Sequence, residues 1–233
     1  MATTLNSIIY DINEIASSGG NPNEFKIPLE QIKYWVHQTR AMMISQALDK
    51  RYEIQDNWIQ LIGCVELEQT DISDCCVVPS GCYGLRSIRQ LPTTIETDEN
   101  NLVLSVTTID DTPLSETNVF RSRYSRYNKY TKNRASWFIR NNYLYVINDE
   151  LLSLVNVYGI YDDPSELGAF KNCADDSCWS ADSPYPVNLK MASAITDYII
   201  KTKVAPFMTF DMNNANDSNG ATSRQKLEDK QAE

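Results

Sequence analysis

One stretch of the chain combines basic and aromatic side chains at a regular spacing. Between Thr117 and Asn148 there is no acidic residue, yet seven of the chain's 21 basic residues fall there. Tyr124, Tyr127 and Tyr130 recur every third residue among them. Tyrosine rings stack on nucleic-acid bases and arginine pairs with phosphate, so this pattern is typical of single-strand binding. Tyr and Arg are also favoured contact residues of protein–protein interfaces, so the same pattern is equally typical of a protein-binding surface.

We call residues 121–140 the basic segment. The chain as a whole is acidic, with 31 acidic against 21 basic residues and a net charge of −10. Repulsion by such a body opposes dedicated DNA binding and favours contact with an acidic protein surface, including another copy of this chain. A third interpretation is that the rings pack inward while the cations face solvent. The predicted interface residues are Arg121, Arg123, Tyr124, Arg126, Tyr127, Lys129, Tyr130, Lys132 and Arg134.

Residues suited to catalysis are few. His37 is the only histidine; we expect it to be half-exposed on a helix, and no G-x-S-x-G motif accompanies it. The carboxylate pairs Asp110–Asp111, Asp162–Asp163 and Asp175–Asp176 lie in turn-rich stretches, where solvated turns or charge partners are more typical than acid–base pairs. Glycine-rich phosphate loops are absent from the sequence. We therefore predict no enzyme, no catalytic residue and no cofactor.

The six cysteines are interpreted as reduced thiols, because no export signal is recognisable. Their spacing matches no common zinc pattern, so we expect no metal. A thiol enzyme acting through Cys75 or Cys76 is the remaining enzymatic alternative. The sequence has no apolar run approaching the ~20 residues that a membrane span requires, so we expect no membrane contact.

The elements that position these residues change from helical to strand periodicity and back. Helical spacing of apolar residues predicts a first helix capped by Thr3 or Thr4, and a second that runs from Pro28 to about Lys50. A last helix begins near Pro186, with Asp182 or Ser183 as its cap, and ends at Pro206. Between them, predicted strands lie at 59–68, 85–95, 102–106, 137–140, 143–147 and 154–161, with Asn141–Asn142 as a two-residue turn.

These elements predict an α+β fold in which the N- and C-terminal helices form a bundle and the β-rich region is a central insertion. The residues after Asp211 have little to bury, which predicts an extended, flexible C-terminal arm. The predicted divisions are residues 1–56 for the helical pair, 57–164 for the β-rich region, 165–205 for the connecting loop and C-terminal helix, and 206–233 for the arm.

Several phrases of the sequence resemble the head–tail connector proteins of tailed bacteriophages. The helical opening does so through Ile12-Asn13-Glu14-Ile15 and Gln31-Ile32-Lys33-Tyr34-Trp35-Val36. Tyr130-Thr131-Lys132-Asn133-Arg134, Asn142-Tyr143-Leu144-Tyr145 and Tyr158-Gly159-Ile160-Tyr161-Asp162-Asp163-Pro164 resemble more narrowly the ring (adaptor) protein of crAss-like phages. The likeness spans most of residues 8–200.

The resemblance implies a structural virion protein of the neck or tail, assembled in the host cytoplasm. It implies a homo-oligomeric ring of twelve copies that docks beneath the portal protein, holds further tail ring proteins and extends the DNA channel. DNA would pass through the lumen without sequence-specific contact, and the C-terminal arm would reach onto the portal. The alternative function is a nucleic-acid-binding module that uses residues 121–140.

Overall fold

A computed structural model describes residues 3–17, 27–71, 83–96, 102–125, 129–130, 134–149 and 151–206. The helices are α1 (Leu5–Ala16), α2 (Leu29–Asp49), α3 (Val119–Ser125) and α4 (Leu189–Ile199). The strands are β1 (Gln60–Asp71), β2 (Tyr83–Ser87), β3 (Val103–Thr107), β4 (Ser115–Glu116), β5 (Ser136–Arg140), β6 (Tyr143–Ile147) and β7 (Leu154–Gly159). Short 3-10 turns occupy Asp56–Trp58 and Pro164–Ala169.

The helices α1, α2 and α4 bury their apolar faces in one common core. Helix α1 begins where the sequence predicts, because the Thr4 side chain accepts the N–H of Ser7 and the Ser7 side chain in turn accepts the N–H of Thr4. Such a reciprocal cap satisfies two N–H groups that a helix start leaves unpaired. The fully buried members of this core are Leu5, Ile8, Ile12, Ile32, Val36, Ile195, Ile199 and Val204.

The cap predicted for the last helix is wrong. Asn188, and neither Asp182 nor Ser183, caps α4, and its side-chain oxygen accepts the N–H of Met191 at 2.7 Å. Pro186 and Val187 form a bend before the helix, and the Val187 N–H donates to the carbonyl of Tyr185 at 2.7 Å, so the helix starts later than predicted. At the other end a π-helical turn, Ile200–Val204, continues α4 to the end of the described chain.

The seven strands form one sheet in the order β3-β7-β1-β2-β6-β5-β4, and every neighbouring pair except β4–β5 is antiparallel. The predicted hairpin between β5 and β6 is confirmed, because Asn141 and Asn142 have φ angles of 51° and 61°. Asparagine tolerates the positive φ that both central residues of such a turn require. The predicted strand at 85–95 is too long, since β2 ends at Ser87.

The sheet curls back on itself around a single core. Leu114 donates its N–H to Val106 of β3, and the next residue, Ser115, pairs with β5 at the opposite end of the strand order. Consecutive residues therefore join the first strand of the sheet to the last. The enclosed residues that are fully buried are Ile62, Val106, Leu144, Val146, Val155, Val157 and Tyr161.

Strand β1 departs from the predicted alternation, in which odd positions point inward. Ile62 is buried while Leu61 is 43% exposed, and the register with β7 then shifts between Ile62 and Val65. Cys64 at this bulge has a φ of 50°, and Val65 is buried again. A bulge adds one residue to a strand, so the inward face changes from even to odd numbers at this point.

The prediction that all cysteines are reduced is also wrong. A disulfide joins Cys64, at the bulge of β1, to Cys173, with 5.2 Å between their Cα atoms. Cys178 is a half-buried free thiol. Cys75, Cys76 and Cys82 lie outside the described residues. The disulfide ties the sheet to the long connection that leads into α4.

The α+β class is confirmed, with a large sheet beside several helices. A further cluster joins the two parts, because Ala41 and Ile44 of α2 pack with Trp58, Ile95, Leu102 and Ile160. The four-part division of the chain remains a prediction. The arm, apart from Pro206, lies outside the described residues.

Candidate interface surface

The β5–β6 hairpin carries apolar side chains on both faces. Trp137, Leu144 and Val146 point into the core that the sheet encloses. On the opposite face, Phe138 and Tyr145 stack at 5.1 Å between ring centroids with an interplanar angle of 4°. A sheet face of this kind has to be covered, because exposed aromatic surface costs free energy in water.

Helix α3 lies on that outer face, and the sequence did not predict it. Its first residue, Val119, packs against the cluster of Phe138, Tyr145 and Ile147. Asn118 caps the helix, since its side-chain oxygen accepts the N–H groups of Phe120 and Arg121, each at 2.9 Å. Asn before a short apolar–basic run is a helix-start signal that could have identified α3.

A row of side chains crosses four strands on this outer face. Glu68 of β1 lies opposite Arg86 of β2, Arg86 opposite Tyr145 of β6, and Tyr145 opposite Phe138 of β5. The Arg86 guanidinium meets Glu68 at 2.5 Å and lies 5.0 Å from the ring centroid of Tyr143. The hydrogen bond to Glu68 raises the pKa of Arg86. The Phe138 and Tyr145 end of this row packs against Val119 of α3.

Three described cations of the basic segment face solvent, whereas Arg140 at the end of β5 is half-buried. Arg121, Lys129 and Arg134 are exposed. Tyr130 is 85% exposed, and the Lys129 ammonium lies 5.7 Å from its ring centroid. The sequence-based alternative in which the rings pack inward therefore fails for Tyr130. The side chains of Arg123 and Tyr124 on α3, and the whole of Arg126, Tyr127 and Lys132, lie outside the described residues.

A second polar cluster is buried between the helices and the sheet. Arg40 is fully buried and donates to the carbonyl of Pro186 at 3.1 Å and to that of Tyr161 at 2.7 Å. His37, expected to be half-exposed, is 6% exposed, so that prediction is wrong. Its Nδ1 shares a hydrogen bond of 2.9 Å with the Tyr185 hydroxyl. Helical spacing placed both residues correctly on α2, but nothing in the sequence indicated that this face of α2 is covered.

Burial controls the electrostatics of this cluster. It lowers the pKa of His37 to about 4, against an opposing contribution from Asp163, whose carboxylate lies 3.5 Å from Nε2. Burial also raises the pKa of the Tyr185 hydroxyl well above its ordinary value. A neutral histidine beside a buried, protonated tyrosine offers no activated nucleophile. The arrangement fits a structural role in which these side chains hold α2 against the segment after β7 and the segment before α4.

The predicted carboxylate pairs mostly serve turns. Asp163 caps the 3-10 turn after β7 by accepting the N–H of Ser165 at 2.8 Å. Asp175, at a φ of 66°, forms an ion pair with Lys171. Asp111, also at positive φ, accepts the Tyr158 hydroxyl at 3.3 Å. Within the described ranges, no group of three or more His, Cys, Asp or Glu side chains is arranged to hold a metal ion.

Comparison with known families identifies the family of the chain. A family model described as phage tail ring protein 2, of the crAss type, matches residues 7–230. The chain belongs to this family. The resemblance carried by its sequence phrases is thereby confirmed. A search of curated proteins finds no match.

As a crAss-like tail ring protein, the chain is a structural component of the virion tail and assembles into rings with other phage proteins. None of the helices in the described ranges is both long enough and apolar enough to cross a membrane.

Proposed function

We propose that this chain is the repeating subunit of a head-to-tail connector ring that docks on the portal, extends the DNA channel and anchors the next tail ring. The observation that carries the proposal is the family match over residues 7–230. Twelve identical copies form the closed ring, and the contribution of the chain is assembly rather than chemistry. We infer no enzymatic activity, because the matched family is one of structural tail ring proteins.

The exposed cations of the basic segment form the subunit contact in this proposal. Copies of a chain with a net charge of −10 repel one another unless basic and acidic surfaces meet. Arg121, Lys129 and Arg134 offer the basic side. The exposed carboxylates at Asp110–Asp111 and Asp175–Asp176 offer candidate acidic partners. Such a contact is heterologous, and a heterologous contact closes into a ring when its rotation returns to the start.

The acidic remainder of the ring suits the DNA channel. An acidic wall repels the phosphate backbone weakly, so DNA slides past without sequence-specific contact. In the same proposal the C-terminal arm from residue 206 reaches onto the portal, and its ordering there sets the sequence of assembly.

Charge reversal tests the proposed contact. We expect Arg121→Glu combined with Arg134→Glu to abolish ring formation, because the contact would then place like charges together. The matched control is Lys50→Glu with Lys201→Glu, which changes the net charge equally at exposed positions outside the basic segment. Negative-stain imaging and sedimentation of each chain, alone and with portal protein, measure the outcome. Rings that form equally well from both double variants would contradict the contact.

A nucleic-acid-binding module is the second candidate function, and the exposure of Tyr130 beside Lys129 favours it. Stacking on an exposed tyrosine contributes about 1–3 kcal/mol per base. The acidic body opposes it, as long-range repulsion lowers affinity for phosphate. A gel-shift titration with single-stranded DNA at low salt separates the two, since the connector proposal expects no retained complex.

A further inference from the structure

An apolar groove of about 710 Å³ lies between the end of α2, the chain that follows it and the first half of α4. Trp58 is part of this groove and is 2% exposed, while Tyr52 on its rim is 65% exposed. The indole N–H of Trp58 is buried and has no hydrogen-bond partner among the described residues. The principal apolar residues of the groove are Met43, Ala47, Tyr52, Trp58, Met191 and Ala194.

The apolar walls of the groove are the feature that an occupant would cover. Removing apolar surface from water is favourable. An extended peptide with apolar side chains can cover such walls.

The chain itself contains a segment of the right chemistry beyond the described residues. Residues 207–212 read Phe-Met-Thr-Phe-Asp-Met, so four of the six side chains are large and apolar. Asp211 is the only charge. The groove rim carries the exposed cations Arg51 and Lys190 against the single carboxylate of Glu53. The excess of positive charge on the rim suits a segment with one negative charge.

Distance favours a segment from another copy. Ala194 lies twelve residues before Pro206 on the helix that continues α4, a separation of about 18 Å at the α-helical rise. Six extended residues span at most about 20 Å. A chain's own segment would use its whole length to return to Ala194, and none would remain to lie along the groove.

We propose that residues 207–212 of one copy dock in the groove of a neighbouring copy, with Phe207 and Phe210 against the methionines. This inference rests on the proposed ring, and it supplies the ring with an apolar contact in addition to the charged one. In it, residues 207–212 contact the neighbouring copy and residues 213–233 are the part of the arm that reaches onto the portal. The two contacts use different residues and can be tested separately.

Peptide binding tests the groove without requiring a ring. The host is the full chain carrying Phe207→Ser and Phe210→Ser, so that its own segment cannot compete. The probe is a fluorescein-labelled peptide of residues 205–214, followed by anisotropy. We expect saturable binding that Ala194→Glu weakens by about tenfold or more, since a carboxylate would be buried against apolar side chains.

Ser193→Glu is the matched control, because Ser193 is the exposed neighbour of Ala194 on α4 and is not part of the groove. Circular dichroism checks that both hosts remain folded, which is expected since Glu is a good helix former. Binding that survives Ser193→Glu but not Ala194→Glu supports the inference. No saturable binding up to about 1 mM, or equal binding by both hosts, overturns it, and the charge-reversal test of the ring is unaffected by either result.

Discussion

Arg40 and His37 lie one helical turn apart on α2, and the two buried side chains differ in charge state. Arg40 remains a buried cation because two carbonyls accept its N–H groups and the Tyr185 ring lies 5.9 Å away. Burial lowers its pKa, but arginine starts so far above neutral that it stays charged. His37 starts near neutral, and burial is sufficient to keep it uncharged. The same environment thus selects opposite charge states.

The neutrality of His37 makes the stability of the protein depend on pH. The unfolded chain protonates this side chain near pH 6.5, whereas the folded chain resists protonation until about pH 4. The unfolded state binds more protons in that window, so the free energy of unfolding falls as the pH drops from 6.5 towards 4. The full difference amounts to about 3 kcal/mol. It is measured by urea unfolding at a series of pH values.

His37→Gln isolates this contribution, because glutamine can still meet the Tyr185 hydroxyl but does not titrate. We expect its stability to change less steeply below pH 6.5 than that of the native chain. The raised pKa of Asp162 works in the opposite direction and is present in both chains, so it cancels in the comparison. Parallel pH profiles for the two chains would show that His37 does not carry the effect.

Features that depend only on neighbouring residues could be predicted from the sequence. The Asn141–Asn142 turn and the Thr4 cap could be read directly, because each depends on residues that are near in sequence. The burial of His37 could not, since the residues that cover it, Tyr185 and Asp163, are more than a hundred positions away. The spacing of the tyrosines likewise does not indicate whether the Tyr130 ring is buried or exposed.

At the scale of elements, the bulge in β1 and the disulfide act together. Cys64 leaves the strand ladder at the bulge, and the N–H of Cys64 is satisfied by the Asn156 side chain at 3.1 Å. Cys64 forms its disulfide with Cys173, which lies in the loop after the 3-10 turn Pro164–Ala169. Simple alternation could not predict the bulge, but Gly63 inside the strand pattern is a signal that could have indicated it.

Reduction of the disulfide is expected to lower stability. The bond closes a loop with a sequence separation of 109, for which the chain-entropy argument gives about 4–5 kcal/mol as an upper value. We expect Cys64→Ser with Cys173→Ser to unfold at lower urea and to respond no further to reductant. The control is Cys178→Ser, which leaves the pair intact. If the native chain unfolds at the same urea with and without reductant, the bond contributes nothing.

At the scale of the whole molecule, Arg40 fastens three parts of the chain together. It extends from α2 to Tyr161, two residues after β7, and to Pro186 in the segment before α4. The cluster around Ile44 and Ile160 joins the same parts through apolar contacts. This dense connection leads us to expect that the helices and the sheet unfold together, as small cooperative units do.

We expect Arg40→Met to destabilise the protein by about 3 kcal/mol, because two buried carbonyls lose a charged donor. Arg89→Met is the matched control, as Arg89 also donates to a backbone carbonyl, that of Ala169 at 2.7 Å, but on the exposed surface. Its cost should stay below about 1 kcal/mol. Thermal unfolding followed by circular dichroism and by tryptophan fluorescence measures both values. A comparable loss of stability in the two variants would show that the buried contacts of Arg40 stabilise the fold no more than the exposed contact of Arg89.

The curled sheet has a consequence for how copies can meet. Pro113 pairs with Thr107 of β3 and Ser115–Glu116 pair with β5, so part of each outer strand edge is covered. Open edges allow one molecule to extend the ladder of the next without limit, which is the route to fibrils. In the proposed ring, a subunit with partly covered edges meets its neighbour through side chains. Fixed side-chain geometry is what allows an assembly to stop after a set number of members.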